Sequence, residues 1–94
     1  MKALVVDDDP VCRRLIESAL CKWGAECRGA PDGPSALDLA RRQRPDLIVA
    51  DVVMPGMDGY DLCRRLKSEE GLGSVPVILL TALSDPRDVI RALQ

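Results

Sequence analysis

Short apolar runs alternate along this chain with stretches whose apolar residues recur every three or four positions. Leu4-Val5-Val6, Leu47-Ile48-Val49-Ala50 and the run at 75–80 are rich in Val, Ile and Leu. Runs of that length and composition predict strands buried on both faces. The strands expected are 2–7, 25–30, 46–51 and 75–80, the second more polar and so placed near a sheet edge. Between them lie helical patterns. The first begins at Asp9-Pro10, an N-cap followed by proline at the first helical position. It carries Val11, Cys12, Leu15, Ile16, Ala19, Leu20 and Trp23 as an apolar face and stops at Gly24. Asp32-Gly33-Pro34 makes a turn into a helix at 34–43 with Ala36, Leu37 and Ala40 inward, broken by Pro45. A loop at 52–58 precedes a third helix at 59–70 burying Leu62, Cys63 and Leu66. After a connection at 71–74 and the fourth strand, Ser84 or Asp85 caps a last helix beginning at Pro86, with Val89, Ile90 and Leu93 inward. The sum is an α/β chain of four βα units, wound with right-handed crossovers into a doubly wound parallel sheet.

Ninety-four residues allow one domain, so residues 1–94 are read as a single unit. The 47% apolar and 30% charged content fits an ordinary globular chain. A net charge of −2 gives no basic excess for direct nucleic-acid binding. The pairs Arg13-Arg14, Arg41-Arg42 and Arg64-Arg65 fall on helices and are read as solvated faces. No apolar stretch is long enough to span a bilayer, and no secretory signal opens the chain, so a cytoplasmic location is expected. Cys12, Cys21, Cys27 and Cys63 lack CxxC spacing, and no histidine exists to complete a zinc site or a hydrolytic triad. The cysteines are read as reduced, small apolar residues.

Acid changes the picture. The first strand runs into Asp7-Asp8-Asp9 and the third into Asp51. Parallel strands bring their carboxyl ends to one edge of the sheet, where open α/β folds place their ligands. Carboxylates gathered there repel one another, and a hard divalent cation such as Mg²⁺ relieves the repulsion. Asp9 is read as the helix cap, and Asp58 as part of a turn-forming Asp-Gly pair.

Asp7-Asp8 after strand 1, Asp51 followed by Met54-Pro55-Gly56-Met57-Asp58-Gly59, and Thr81-Ala82 after strand 4 together resemble the receiver domain of two-component response regulators. The resemblance covers the whole chain and implies a flavodoxin-like fold. It implies phosphoryl transfer from a sensor histidine kinase or phosphotransfer protein onto Asp51, making the chain a phosphoacceptor signalling switch and not an enzyme of metabolic turnover. By the same resemblance, Asp8, Asp51 and the backbone carbonyl of Val53 hold Mg²⁺, with Asp7 acting through water. Thr81 and Ala82 bind the phosphoryl group and carry the switch. Pro55 and Gly56 shape the loop, and Gly59 starts the third helix or supplies a permissive backbone angle. Val53 and Leu83 lie at positions that tune the lifetime of the phosphoryl group.

The family continues with a fifth strand, which begins with a lysine that contacts the phosphoryl group, and a fifth helix. None of Lys2, Lys22 and Lys67 lies at that lysine's position. The expectation is a receiver truncated before those elements, with an exposed flank on strand 4 and an apolar last helix. That flank predicts a homodimer or domain-swapped dimer. The alternative function is a phosphorylation-impaired fragment acting as an interaction module. A haloacid-dehalogenase phosphohydrolase would carry its Asp-x-Asp nucleophile motif on the first strand, whereas the most nucleophile-like acid here is on the third and no substrate-binding cap is present. A dinucleotide-binding domain would carry a glycine fingerprint, which is lacking.

Overall fold

A computed structural model describes residues 1–80. Its elements are β1 (Lys2–Val6), α1 (Pro10–Lys22), β2 (Glu26–Ala30), α2 (Gly33–Gln43), β3 (Leu47–Asp51), α3 (Gly59–Ser68) and β4 (Val77–Leu80). The strands form one parallel sheet in the order β2-β1-β3-β4. The expected parallel α/β architecture is therefore present, with polar β2 at an edge. Thr81, Ala82, Leu83 and the expected last helix lie outside the described residues.

Strand alternation sends successive side chains to opposite faces, and both faces are covered. Leu4, Val6, Ile48 and Ala50 pack with Ala36, Leu37 and Ala40 of α2 and with Leu62 and Leu66 of α3. Ala3, Val5 and Val49 pack on the other face with Ile16 and Leu20 of α1. Helices on both faces make the sheet doubly wound. Each fully buried aliphatic side chain, such as Ile48 or Leu62 at 0% exposure, contributes about 1.5–3 kcal/mol through burial.

Local chemistry starts and stops the helices largely as the sequence predicts. Asp9 accepts from Val11 N–H at 2.9 Å, Asp32 from Ser35 N–H at 2.8 Å and Asp58 from Asp61 N–H at 2.8 Å. Asp61 returns the favour to Asp58 N–H, completing a capping box, so Asp58 is a structural cap. The second helix ends at Arg44, which adopts φ 45°, just before Pro45.

Three expectations need correction. The apolar face of α1 is narrower than its apolar residues: Val11, Leu15 and Trp23 are 67%, 51% and 45% exposed, because one line of the helix meets the sheet. The fourth strand starts at Val77, not 75. Val75 N–H closes a turn on Leu72 and Pro76 has no N–H to donate, although its carbonyl accepts from Ile48. The third helix stops at Ser68, where Glu69 turns extended.

Candidate functional site

The strand order reverses direction between β1 and β3, and ligands of open α/β sheets bind outside the carboxyl ends of the strands at such a switch point. Asp7 follows β1 directly and Asp51 is the last residue of β3. Asp7, Asp8 and Asp51 each offer a carboxylate oxygen, and these oxygens lie within 4.8 Å of one another. The structure thus brings together the three acids that sequence reasoning selected. Asp9 belongs to the α1 cap instead.

The three are held differently. Asp7 is 3% exposed, the buried charged side chain among the described residues. Its Oδ1 accepts from Asp9 N–H at 2.9 Å, and its own N–H donates to Ala30 O at 3.1 Å, extending the β1–β2 ladder past Val6. Asp8 is exposed and Asp51 is half-buried. Asp51 Oδ1 accepts from Val53 N–H at 3.2 Å. Burial pushes the Asp51 carboxyl above its ordinary value, and the charges of Asp7 and Asp8 push the same way against the backbone N–H groups of Val53 and Val52. The pocket therefore holds negative charge at a cost that a cation would relieve.

The loop after β3 is shaped from both sides. Met54 is buried in the core, and Gly56 takes φ 77°, a left-handed conformation that a glycine adopts without strain. Met57 lies against the start of α2, where a Cβ on Gly33 would come 2.5 Å from its sulfur. Gly59 requires a different explanation from a permissive backbone angle, since its φ is not among the positive ones. A Cβ at Gly59 would come 2.5 Å from Asp51 O and 2.9 Å from Val52 Cα. Gly59 N–H donates to Val52 O at 2.9 Å, so the first residue of α3 sits flat against the backbone of the acid.

Two neighbours of the acids escaped sequence reasoning. Cys12, half-buried on the first turn of α1, has its thiol pushed up to about 12 by burial, then by a hydrogen bond to Asp7 and the charges of Asp7, Asp9 and Asp51. It is a protonated thiol facing acid, not a nucleophile. Arg13 Nη1 donates to the Asp7 carbonyl at 2.8 Å, so this arginine is no mere solvated residue. Side chains of a helix tilt toward its N-terminus, which is the signal that a long residue in the first turn reaches back over the preceding loop. Pro55 and Val53 are exposed on the loop. Thr81 and Ala82 lie outside the described residues.

A parallel, doubly wound sheet with three carboxylates clustered at its switch point defines an open α/β domain whose acids are spaced to share a cation. The family model of the response regulator receiver domain matches residues 3–94. The chain belongs to that family. It is 45% identical over 93 residues to the response regulator PleD of Caulobacter vibrioides, covering 99% of this chain and 20% of that protein. It is 43% identical over 93 residues to the probable transcriptional regulator ycf27 of Porphyridium aerugineum, covering 99% of this chain and 38% of the relative. Among solved structures it resembles the signal receiver domain of a signal transduction histidine kinase from Syntrophus aciditrophicus, with TM-score 0.81 and 45% identity over 99% of this chain and 70% of the other. Chemotaxis protein CheY4 of Vibrio cholerae matches with TM-score 0.85 and 25% identity over 99% of this chain and 95% of its own.

The chain spans roughly a fifth to two fifths of these two curated relatives. It is a receiver domain of flavodoxin-like fold, and receiver domains are phosphoacceptor signalling switches. That membership does not favour the alternative of an impaired interaction module. Receiver domains are phosphorylated by histidine kinases and usually bind Mg²⁺ at an acidic pocket, and this chain has such an acidic cluster. Among the described residues, no helix is long and apolar enough to cross a membrane.

Proposed function

We propose that Asp51 is the phosphoacceptor of this receiver domain, and that Asp8, Asp51 and the backbone carbonyl of Val53 hold Mg²⁺, with Asp7 acting through water. The observation that carries this reading is the gathering of one oxygen from each of Asp7, Asp8 and Asp51 within 4.8 Å at the sheet's switch point. The donor set suits the ion. Mg²⁺ prefers hard oxygen ligands, usually one or two carboxylates with waters completing the shell. Bound there, the ion supplies charge neutralisation to an incoming phosphoryl group.

The chain's own residues do the rest. Asp51 ends the rigid β3 strand, so its carboxylate oxygen is aimed without loop motion. That oxygen forms a bond to phosphorus while the phosphorus–nitrogen bond of a phosphohistidine donor breaks, leaving an acyl phosphate and a free imidazole. Ionised Asp51 is the nucleophile. The Val53 N–H on its Oδ1 orients it and opposes the rise in its protonation. Asp7, buried and bonded to Asp9 N–H, keeps the other wall of the pocket fixed. Phosphoryl transfer of this kind depends on positioning and electrostatics, for which acids on a sheet edge suffice. From the family resemblance, Thr81 and Ala82 receive the phosphoryl oxygens and convert phosphorylation into a conformational switch, and Pro55 and Gly56 shape the adjoining loop. The chain turns over no metabolite, its location is the cytoplasm, and its partner is a sensor histidine kinase or phosphotransfer protein.

Incubation with acetyl phosphate and Mg²⁺, followed by intact mass, tests the assignment. The chain gains one phosphoryl group, and Asp51→Ala gains none. A gain that survives Asp51→Ala overturns the assignment.

A further inference from the structure

Asp7 and Asp8 sit on the loop between β1 and α1, and the main chain of that loop has left the ladder. Only the Asp7 N–H still reaches β2, at Ala30 O. The Asp7 carbonyl is taken up by a side chain instead, from Arg13 Nη1 at 2.8 Å. Arg13 lies six residues along, in the first half of α1, and its neighbour Arg14 is exposed. The Arg13 side chain passes over β2 at Gly29, where a Cβ would come 2.9 Å from Arg13 Cδ and 3.1 Å from Arg13 Nε. The same Cβ would run into Oε1 of Glu17, one helical turn further along α1. The missing side chain of Gly29 therefore opens a slot over the edge strand, and Arg13 lies in it.

We infer that Arg13 is a positioning residue for the acidic site: seated over Gly29, it fixes the Asp7 backbone and with it the loop that presents Asp7 and Asp8. The inference rests on the proposed function for what that loop is positioned to do. A guanidinium donating to a carbonyl makes a charge-assisted bond stronger than a neutral one. Asp7 is thereby held at three points: its N–H, its carbonyl and its carboxylate, which accepts from Asp9 N–H at 2.9 Å. Release of the carbonyl loosens the turn in which Asp9 N–H reaches back to Asp7.

The test uses the full chain and four variants: Arg13→Met, which keeps the stem and removes the donors; Arg13→Lys, which keeps a charged donor; Gly29→Ala, which keeps the guanidinium and blocks its route; and the Arg13→Met, Gly29→Ala double variant. The first readout is amide exchange at Asp9 in metal-free protein, measured by NMR, with Val5 in β1 as reference. Arg13→Met and Gly29→Ala each speed Asp9 exchange about threefold to tenfold, as loss of one hydrogen bond implies, while Val5 exchange holds. The double variant matches Arg13→Met, because Gly29→Ala acts through an arginine that is no longer there. The second readout is Mg²⁺ affinity by titration calorimetry, weakened about threefold or more in Arg13→Met and in Gly29→Ala and partly restored in Arg13→Lys. Asp9 exchange unchanged in Arg13→Met or in Gly29→Ala, or additive effects in the double variant, overturns the role of Arg13. Failure of the parent chain to bind Mg²⁺ overturns the proposed metal site instead, and Asp9 exchange still decides the inference.

Discussion

Gly59→Ala is the substitution that most sharply separates close approach from backbone freedom at this site. The added Cβ meets Asp51 O at 2.5 Å, Val52 Cα at 2.9 Å and Asp51 C at 3.1 Å, and all three are backbone atoms. A flexible side chain could swing away; the end of β3 cannot, because Val52 N–H is bonded to Leu80 O at 2.8 Å. Either α3 lifts off the strand or the Asp51 peptide moves. Overpacking of this kind costs about 1–3 kcal/mol. The higher helix propensity of alanine returns about 0.5–1 kcal/mol in a helix interior and less at a first position. A net loss of about 1–2 kcal/mol remains, which for a chain of this size lowers Tm by about 4–16 °C. Gly24→Ala is the control. Gly24 has φ 88° and nothing within 4 Å of its Cβ position, so its cost, about 1–2 kcal/mol, comes from conformation alone. The two variants then lose similar stability, but Gly59→Ala alone weakens Mg²⁺ binding and slows phosphorylation from acetyl phosphate. Urea melts followed by circular dichroism and calorimetric Mg²⁺ titrations measure both. Stability within 0.5 kcal/mol of the parent, as for an ordinary surface change, together with unaltered Mg²⁺ affinity in Gly59→Ala, refutes the reasoning.

Other substitutions probe charge. Burial and the charges of Asp7 and Asp8 raise the Asp51 carboxyl above its ordinary 3.8, so ionising it opposes folding at neutral pH. That cost fades as pH falls through the raised value toward 3.8; Asp51→Asn therefore raises the urea midpoint at pH 7 without Mg²⁺, and the gain shrinks both on acidification and on addition of the ion. Asp32 has the opposite sign: the Ser35 N–H lowers it below 3.8, so its contribution is present above 3.8 and is lost as pH falls through the lowered value. Asp32→Ala accordingly melts at lower urea at pH 7, and the two curves converge under acid. Thiol labelling at pH 8, followed by peptide mass, modifies exposed Cys21 first and Cys12 last, since Cys12 is held up to about 12.

Much of the fold was legible because apolar runs and helix caps are local signals. Parallel strands buried on both faces show as unbroken runs, and β1 and β3 lie where those runs are. Asp9 and Asp32, each followed by proline in the first turn, marked α1 and α2. The acids were legible for a topological reason: parallel strands end on one edge, and with β1 and β3 adjacent in the sheet Asp7, Asp8 and Asp51 meet there. What escaped depends on contacts across the fold. Nothing in the order of residues says that Val11 and Leu15 lie beside the line of α1 that touches the sheet. Arg13 and Arg14 look alike in sequence, yet the helix phase and the bare strand at Gly29 send Arg13 alone to Asp7. Gly59 does start α3, as one of its two expected roles had it, but the permissive backbone angle does not hold, and its close approach to the Asp51 backbone leaves no local trace.

Borohydride reduction converts an aspartyl phosphate to homoserine, and peptide mass after reaction with acetyl phosphate and Mg²⁺ then reads the acceptor directly. Homoserine at residue 51, and at no other aspartate, is the expected result. Homoserine at Asp7 or Asp8, or an unmodified Asp51 in a chain that has gained a phosphoryl group, contradicts the assignment.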